Sequence, residues 1–218
     1  MDETPLFPPW TNAVTAIVVV GVVLTPAVAI TALMLYVRSP WHTLAGDPVL
    51  QPVQFDHRHH VADDGIDCRY CHDTVDRSPS AGIPSASLCM NCHAQVWNQS
   101  GLLQPVREAF FADRPLVFTR VHRVPDFVFF NHAIHVNKGV GCVSCHGSVD
   151  RMPLATQVAP LTMEWCLDCH RAPERFLRPK SEITNMQWKP AGDQLEIGRR
   201  LKKEYRVESR TDCYTCHR

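Results

Sequence analysis

From Thr4 to Val37 the chain carries no charged residue, and Ala13 to Val37 is dominated by Ala, Val, Ile, Leu and Thr, with Gly21 and Pro26 inside the run. Crossing a bilayer core takes about 20 apolar residues, so the run predicts one transmembrane helix over about residues 12–37. Trp10 lies at one end and Tyr36 and Trp41 at the other, where interfacial aromatics are expected, and Arg38 can snorkel to the headgroups. Downstream, Ile197, Leu201 and Tyr205 share one helical face and Asp193 stands three residues before Glu196, which predicts a capped helix over Gln194–Tyr205. A short helix is expected around Leu102–Phe111 with Pro105 near its start, followed by extended segments Leu116–Val121 and Phe127–Phe130. Seventeen prolines against ten glycines predict turns and short links elsewhere.

A cleavable signal peptide competes for the N-terminal run, because Ala27-Val28-Ala29 mimics a cleavage site. The run is much longer than the usual 7 to 15 residues, and Asp2 and Glu3 stand where a basic segment belongs. An uncleaved anchor over residues 1–41 is the expectation. Formal net charge is zero, with 22 basic and 22 acidic residues, so there is no basic field for nucleic acid.

All ten cysteines fall into Cys-x-x-Cys pairs, and a histidine follows each pair at once. The five motifs are Cys68/Cys71/His72, Cys89/Cys92/His93, Cys142/Cys145/His146, Cys166/Cys169/His170 and Cys213/Cys216/His217. Two thiols three apart can each form a thioether to one porphyrin edge while the adjoining imidazole reaches the iron, which is the signature of c-type haem. Structural zinc would need two pairs per metal and strand the fifth, and neither zinc nor disulfides explain the histidines. Five covalent c-type haems are therefore expected, with a cofactor-dominated core. Haem attachment of this kind takes place outside the cytoplasm. That places residues 42–218 on the periplasmic side of a bacterial inner membrane, against the weak contrary vote of Arg38.

The haem region repeats: Phe55-Asp56-His57-Arg58-His59-His60 precedes the first motif, and Phe130-Asn131-His132-Ala133-Ile134-His135 precedes the third. Val75-Asp76-Arg77-x-Pro79 then matches Val149-Asp150-Arg151-x-Pro153, giving two-haem repeats over 55–93 and 130–170 and a fifth haem apart at 213–217. His57, His60, His132 and His135 are expected as distal iron ligands, and His59, opposite Ile134 in the second copy, as a solvated side chain. For the fifth distal position the candidates are Met163, Met152 and His122, with Met186 and His42 behind them; a thioether there would raise that potential. Met152 and Met163 stand where the first copy has Ser78 and Ala86.

These residues resemble a known family, the pentahaem c-type cytochrome subunit of alternative complex III, related to the c3/c7-like class III multihaem cytochromes. The resemblance is carried by the anchor, by Gly65 to His72, by His122 to Phe127 leading into Phe130-Asn131-His132, and by Leu161 to Cys166. It implies a mostly irregular and α-helical multihaem domain with one N-terminal transmembrane helix. It also implies an electron wire from a quinol-oxidising membrane complex towards a periplasmic acceptor, with no catalytic residue of its own. Implied partners are polytopic membrane subunits, an iron–sulfur subunit and a monohaem cytochrome c. A stand-alone quinol dehydrogenase and a multihaem enzyme with an open iron site are the alternatives.

Overall fold

The computed structural model describes residues 7–217. The chain divides into two units, Met1–Leu44 and Ala45–Arg218.

The first unit holds α1 (Trp10–Arg38) and α2 (Pro40–Thr43). At 1.5 Å per residue, α1's 29 residues span roughly 44 Å, more than a hydrocarbon core of about 30 Å. By length and composition α1 can cross a membrane, and no residue of it is buried against protein. Ser39 ends it, its hydroxyl donating to the Tyr36 carbonyl at 2.6 Å, and Pro40 opens the next turn.

The second unit is helical and irregular. Its elements are a π-helix (Arg58–Asp63), α3 (Cys68–Cys71), α4 (Ala86–His93), α5 (Gln104–Phe111), α6 (His132–Asn137), α7 (Val143–His146), α8 (Met163–Arg171), α9 (Gln194–Glu204) and α10 (Cys213–Cys216), with short 3-10 turns between them. No strand ladder occurs among the described residues, only two isolated bridges, Pro48 with Thr156 and Val140 with Leu177. The segments expected to be extended at 116–121 and 127–130 accordingly have no strand partner. Pro115 before the first segment and Pro125 before the second withhold two backbone donors that pairing would use. The helix expected over Leu102–Phe111 is a 3-10 turn at Gly101–Leu103 followed by α5, and α9 ends one residue before the expected Tyr205.

The two repeats differ by one residue, and the π-helix absorbs it. His132 follows His57 by 75 positions, but Cys142 follows Cys68 by only 74. The extra residue in the first copy falls where Asp64 N–H bonds the His59 carbonyl, five residues back, at 3.0 Å. A single π-turn lets the added residue pass without shifting the histidines against the motif.

Few side chains are buried, and among the described residues Leu177 is the one with no exposure at all. One small cluster joins α4 to α5 through Ala86, Met90, Leu103, Val106 and Ala109; another joins the repeats through Val75, Val136 and Ile183. The α9 helix packs on the 3-10 turn Pro173–Arg175 at Gly198, where a Cβ would run into the Glu174 carbonyl. Lys202 on α9 pairs with Glu174 at 2.9 Å.

Candidate haem-binding site

Each motif sits on a helical turn, and a neighbouring side chain caps that turn at the first, fourth and fifth motifs but not at the second and third. Asp67 Oδ1 accepts from Arg69 N at 2.8 Å ahead of α3, Asp212 Oδ1 from Thr215 N at 3.0 Å ahead of α10, and Thr162 Oγ1 from Trp165 N at 3.4 Å ahead of α8. These caps satisfy donors at a helix start. The turn that follows places two cysteines three residues apart on one side, with the histidine leaving at its end. Asn131 does the same for α6, accepting from Ile134 N at 3.3 Å, and so sets His132 and His135 on adjacent turns.

The histidines meet in pairs. Ring centres of His60 and His93 are 6.1 Å apart, of His132 and His146 6.2 Å, and of His135 and His170 6.0 Å. Two imidazoles approaching one metal from opposite sides stand roughly 2 Å from it each, which with the two half-rings separates their centres by roughly 6 Å. The remaining member of the first set, His57, is pushed down to about 4 by burial and then by His72 close to it. The structure thus brings each Phe-x-His-x-x-His histidine to a different motif: His57 to the first, His60 to the second, His132 to the third and His135 to the fourth.

Hydrogen bonding fixes which nitrogen is free. Nδ1 of His72 donates to the Gly82 carbonyl at 2.7 Å, of His93 to Val96 at 3.0 Å, of His170 to Arg210 at 2.8 Å and of His217 to Phe127 at 3.2 Å. On the partner side His60 donates to Asp56 at 3.0 Å, His132 to Pro79 at 2.8 Å and His135 to Asn131 at 2.7 Å. A carbonyl only accepts, so Nδ1 carries the proton and the Nε2 lone pair is left for a metal. Burial keeps the rings neutral as well, pushing His135 down from the ordinary histidine value and His146 down to about 3, in the latter case with His122 adding to the effect. The Nδ1 of His57 is buried without a protein partner. Phe55 stacks on His60 at 4.4 Å and Phe130 on His135 at 4.6 Å, holding both ring planes.

All ten cysteines are free thiols, and among the described residues no three or more His, Cys, Asp or Glu side chains converge as a bare ion would need. Paired imidazoles beside paired thiols fit haem instead. The thiols also reveal which motifs are neighbours. Cys142 lies beside Cys68 and, with burial, pushes the Cys68 thiol up. Burial raises Cys71, with Cys89 and Cys92 adding to the effect, and pushes Cys145 up to about 12, with Cys169 and Cys166 adding. Cys166 is raised by burial and then by Cys216. The motifs therefore stand in the order second, first, third, fourth, fifth.

The fifth-ligand candidates separate. Met163 opens α8 one turn before Cys166 and is 68% exposed. Met152 Sδ accepts from Thr156 Oγ1 at 3.9 Å and its methyl group lies against Gly147, beside the third motif. His122 Nε2 lies 3.2 Å from His146 Nδ1. His42 belongs to the first unit, its ring 5.5 Å from Tyr36, and Met186 is half-buried after the 3-10 turn Lys180–Glu182. His59 is exposed and 3.4 Å from Asp63 Oδ2. The carbonyl partners of the Nδ1 atoms carried no signal in the sequence, since any residue supplies a carbonyl, and neither did the contact of His122 with His146.

Helical turns that each bear two thiols and an imidazole, with no strand ladder among the described residues and with spare histidines paired to those imidazoles, are the arrangement of a c7-like multihaem cytochrome domain. Residues 128–218, which hold the third to fifth motifs, match the family described as cytochrome c7 and related cytochrome c. Over 106 residues the chain is 33% identical to the menaquinone reductase, multiheme cytochrome c subunit of Nitratidesulfovibrio vulgaris strain Hildenborough. That match covers 46% of this chain and 48% of the other, so the chain spans about half the length of the curated relative it matches.

Proposed function

We propose that this chain is the electron-relay subunit of a quinone-linked membrane oxidoreductase, holding five c-type haems and tethered by α1 in the bacterial inner membrane with residues 42–218 on the periplasmic side. The observation that carries the reading is the set of imidazole pairs at 6.0–6.2 Å, each joining a motif histidine to one of the repeated histidines. Bound haem supplies reversible one-electron chemistry at each site. The chain's part is to bind, orient and order. His72, His93, His146, His170 and His217 are the proximal ligands, and His57, His60, His132 and His135 the distal ligands of the first four sites, leaving those positions closed to substrate. Met163 is the distal ligand of the fifth site: it lies on the same face of α8 as Cys166, whose thiol neighbours Cys216. Each Phe-x-His-x-x-His turn ties two neighbouring sites together, and the Cys68 and Cys142 contact ties the two repeats.

The resemblance to alternative complex III favours electrons arriving from quinol, with polytopic membrane subunits, an iron–sulfur subunit and a monohaem cytochrome c as partners and a periplasmic acceptor beyond. Similarity to the menaquinone reductase subunit supports the opposite direction, towards the quinone. Purification of the full chain in mild detergent tests the reading. Five haems per chain and co-purifying polytopic and iron–sulfur subunits are expected, and quinol or menaquinone added to that complex gives the direction. A chain that arrives alone and is itself reduced by quinol would overturn the subunit reading, and a high-spin haem in the resting protein would point to an enzyme with an open site.

A further inference from the structure

The motif histidines of the first, second, fourth and fifth sites donate Nδ1 to backbone carbonyls, whereas His146 meets a side chain. Its Nδ1 is 3.2 Å from Nε2 of His122, the ring centres are 4.2 Å apart and the planes are inclined at 71°. At that separation nothing fits between the rings, so His122 is not opposite His146 across a metal; His132 occupies that place, nearly parallel to His146 at 12°. With the His146 Nε2 lone pair committed outward, its Nδ1 carries the proton, and His122 Nε2 is the acceptor. The segment that delivers His122 is itself anchored, since Arg123 N donates to Oε1 of the buried Gln157 at 3.1 Å.

We propose that His122 is a positioning residue for the third haem site: as a hydrogen-bond acceptor it fixes the plane of the His146 ring and makes that imidazole a stronger donor to its iron. A more basic ligand favours the oxidised metal, so His122 lowers the potential of this one site relative to a site backed by a carbonyl. An imidazole nitrogen is a stronger acceptor than a peptide oxygen, and it stands beside the seam where the two repeats meet at Cys68 and Cys142. The inference rests on the haem reading given above.

The test uses the full chain in its native complex, carrying His122→Phe, His122→Asn or His122→Gln, with potentiometric titration followed by optical and electron paramagnetic resonance spectra. Phenylalanine removes the acceptor and keeps the ring. The short amide of asparagine cannot span the bond, yet it retains a polar group should phenylalanine prevent maturation. In both, one haem is expected to become about tenfold easier to reduce, about 59 mV for one electron, with every haem still low-spin. Glutamine, whose amide oxygen can accept, is expected to restore most of the shift. Five haems with all potentials unmoved in both disrupting variants would overturn this inference alone, and a new high-spin haem would make His122 an iron ligand instead. Fewer than five haems in the unaltered chain would overturn the haem reading beneath it.

Discussion

At the scale of single residues, the site is built by deciding which ring nitrogen is spent on the protein and which is kept. Seven histidines give Nδ1 to a main-chain carbonyl and keep Nε2, and burial holds His57, His135 and His146 neutral. In the proposed relay Met163 is the residue on which the fifth site turns. Replacing it with alanine is expected to lower one potential and leave the other four in place, while alanine at Met152, which is occupied with Thr156, leaves all five unchanged; redox titration of the two variants distinguishes them. The motif residues and the four repeated histidines were legible from spacing, because spacing is what thioether chemistry demands. The pairing of each histidine with its motif was not, since it depends on how the repeats fold together, and the same holds for the contact of His122, a candidate fifth ligand by sequence, with His146.

Among the elements, the π-helix and α9 show how far local rules reach. Deleting Ala62 brings the first repeat into step with the second and is expected to turn the π-turn into an ordinary helical one with haem content retained; haem-to-protein ratio and circular dichroism check this. Gly198→Ala forces a methyl against the Glu174 carbonyl and is expected to destabilise the fold by about 1–3 kcal/mol, read as a lower thermal midpoint. Apolar periodicity and the Asp193 cap were enough to find α9, and the cap is formed, with Asp193 Oδ1 accepting from Leu195 N at 2.8 Å. Its contact with the Pro173–Arg175 turn was invisible, because a glycine on a helix face does not announce what presses on it. The extended segments expected at 116–121 and 127–130 join no strand ladder among the described residues; Thr119 N and O bond the Gln51 side chain and Phe129 N the Cys216 carbonyl, partners far away in sequence that a local pattern cannot name.

For the molecule as a whole, the scarcity of buried apolar side chains matters most. A domain from Ala45 onward with two small apolar clusters lacks a core of its own, so the chain made without haem attachment is expected to show little helix in far-ultraviolet circular dichroism and to be degraded quickly by protease. A folded apoprotein would contradict the cofactor-dominated core. The order of the motifs, with the second and fifth at the two ends, also fixes what damage does. In the proposed relay a turn that serves two irons is also a shared point of failure: damage to α6, which carries both His132 and His135, disturbs the third and fourth sites together, whereas damage to α10 reaches the fifth alone.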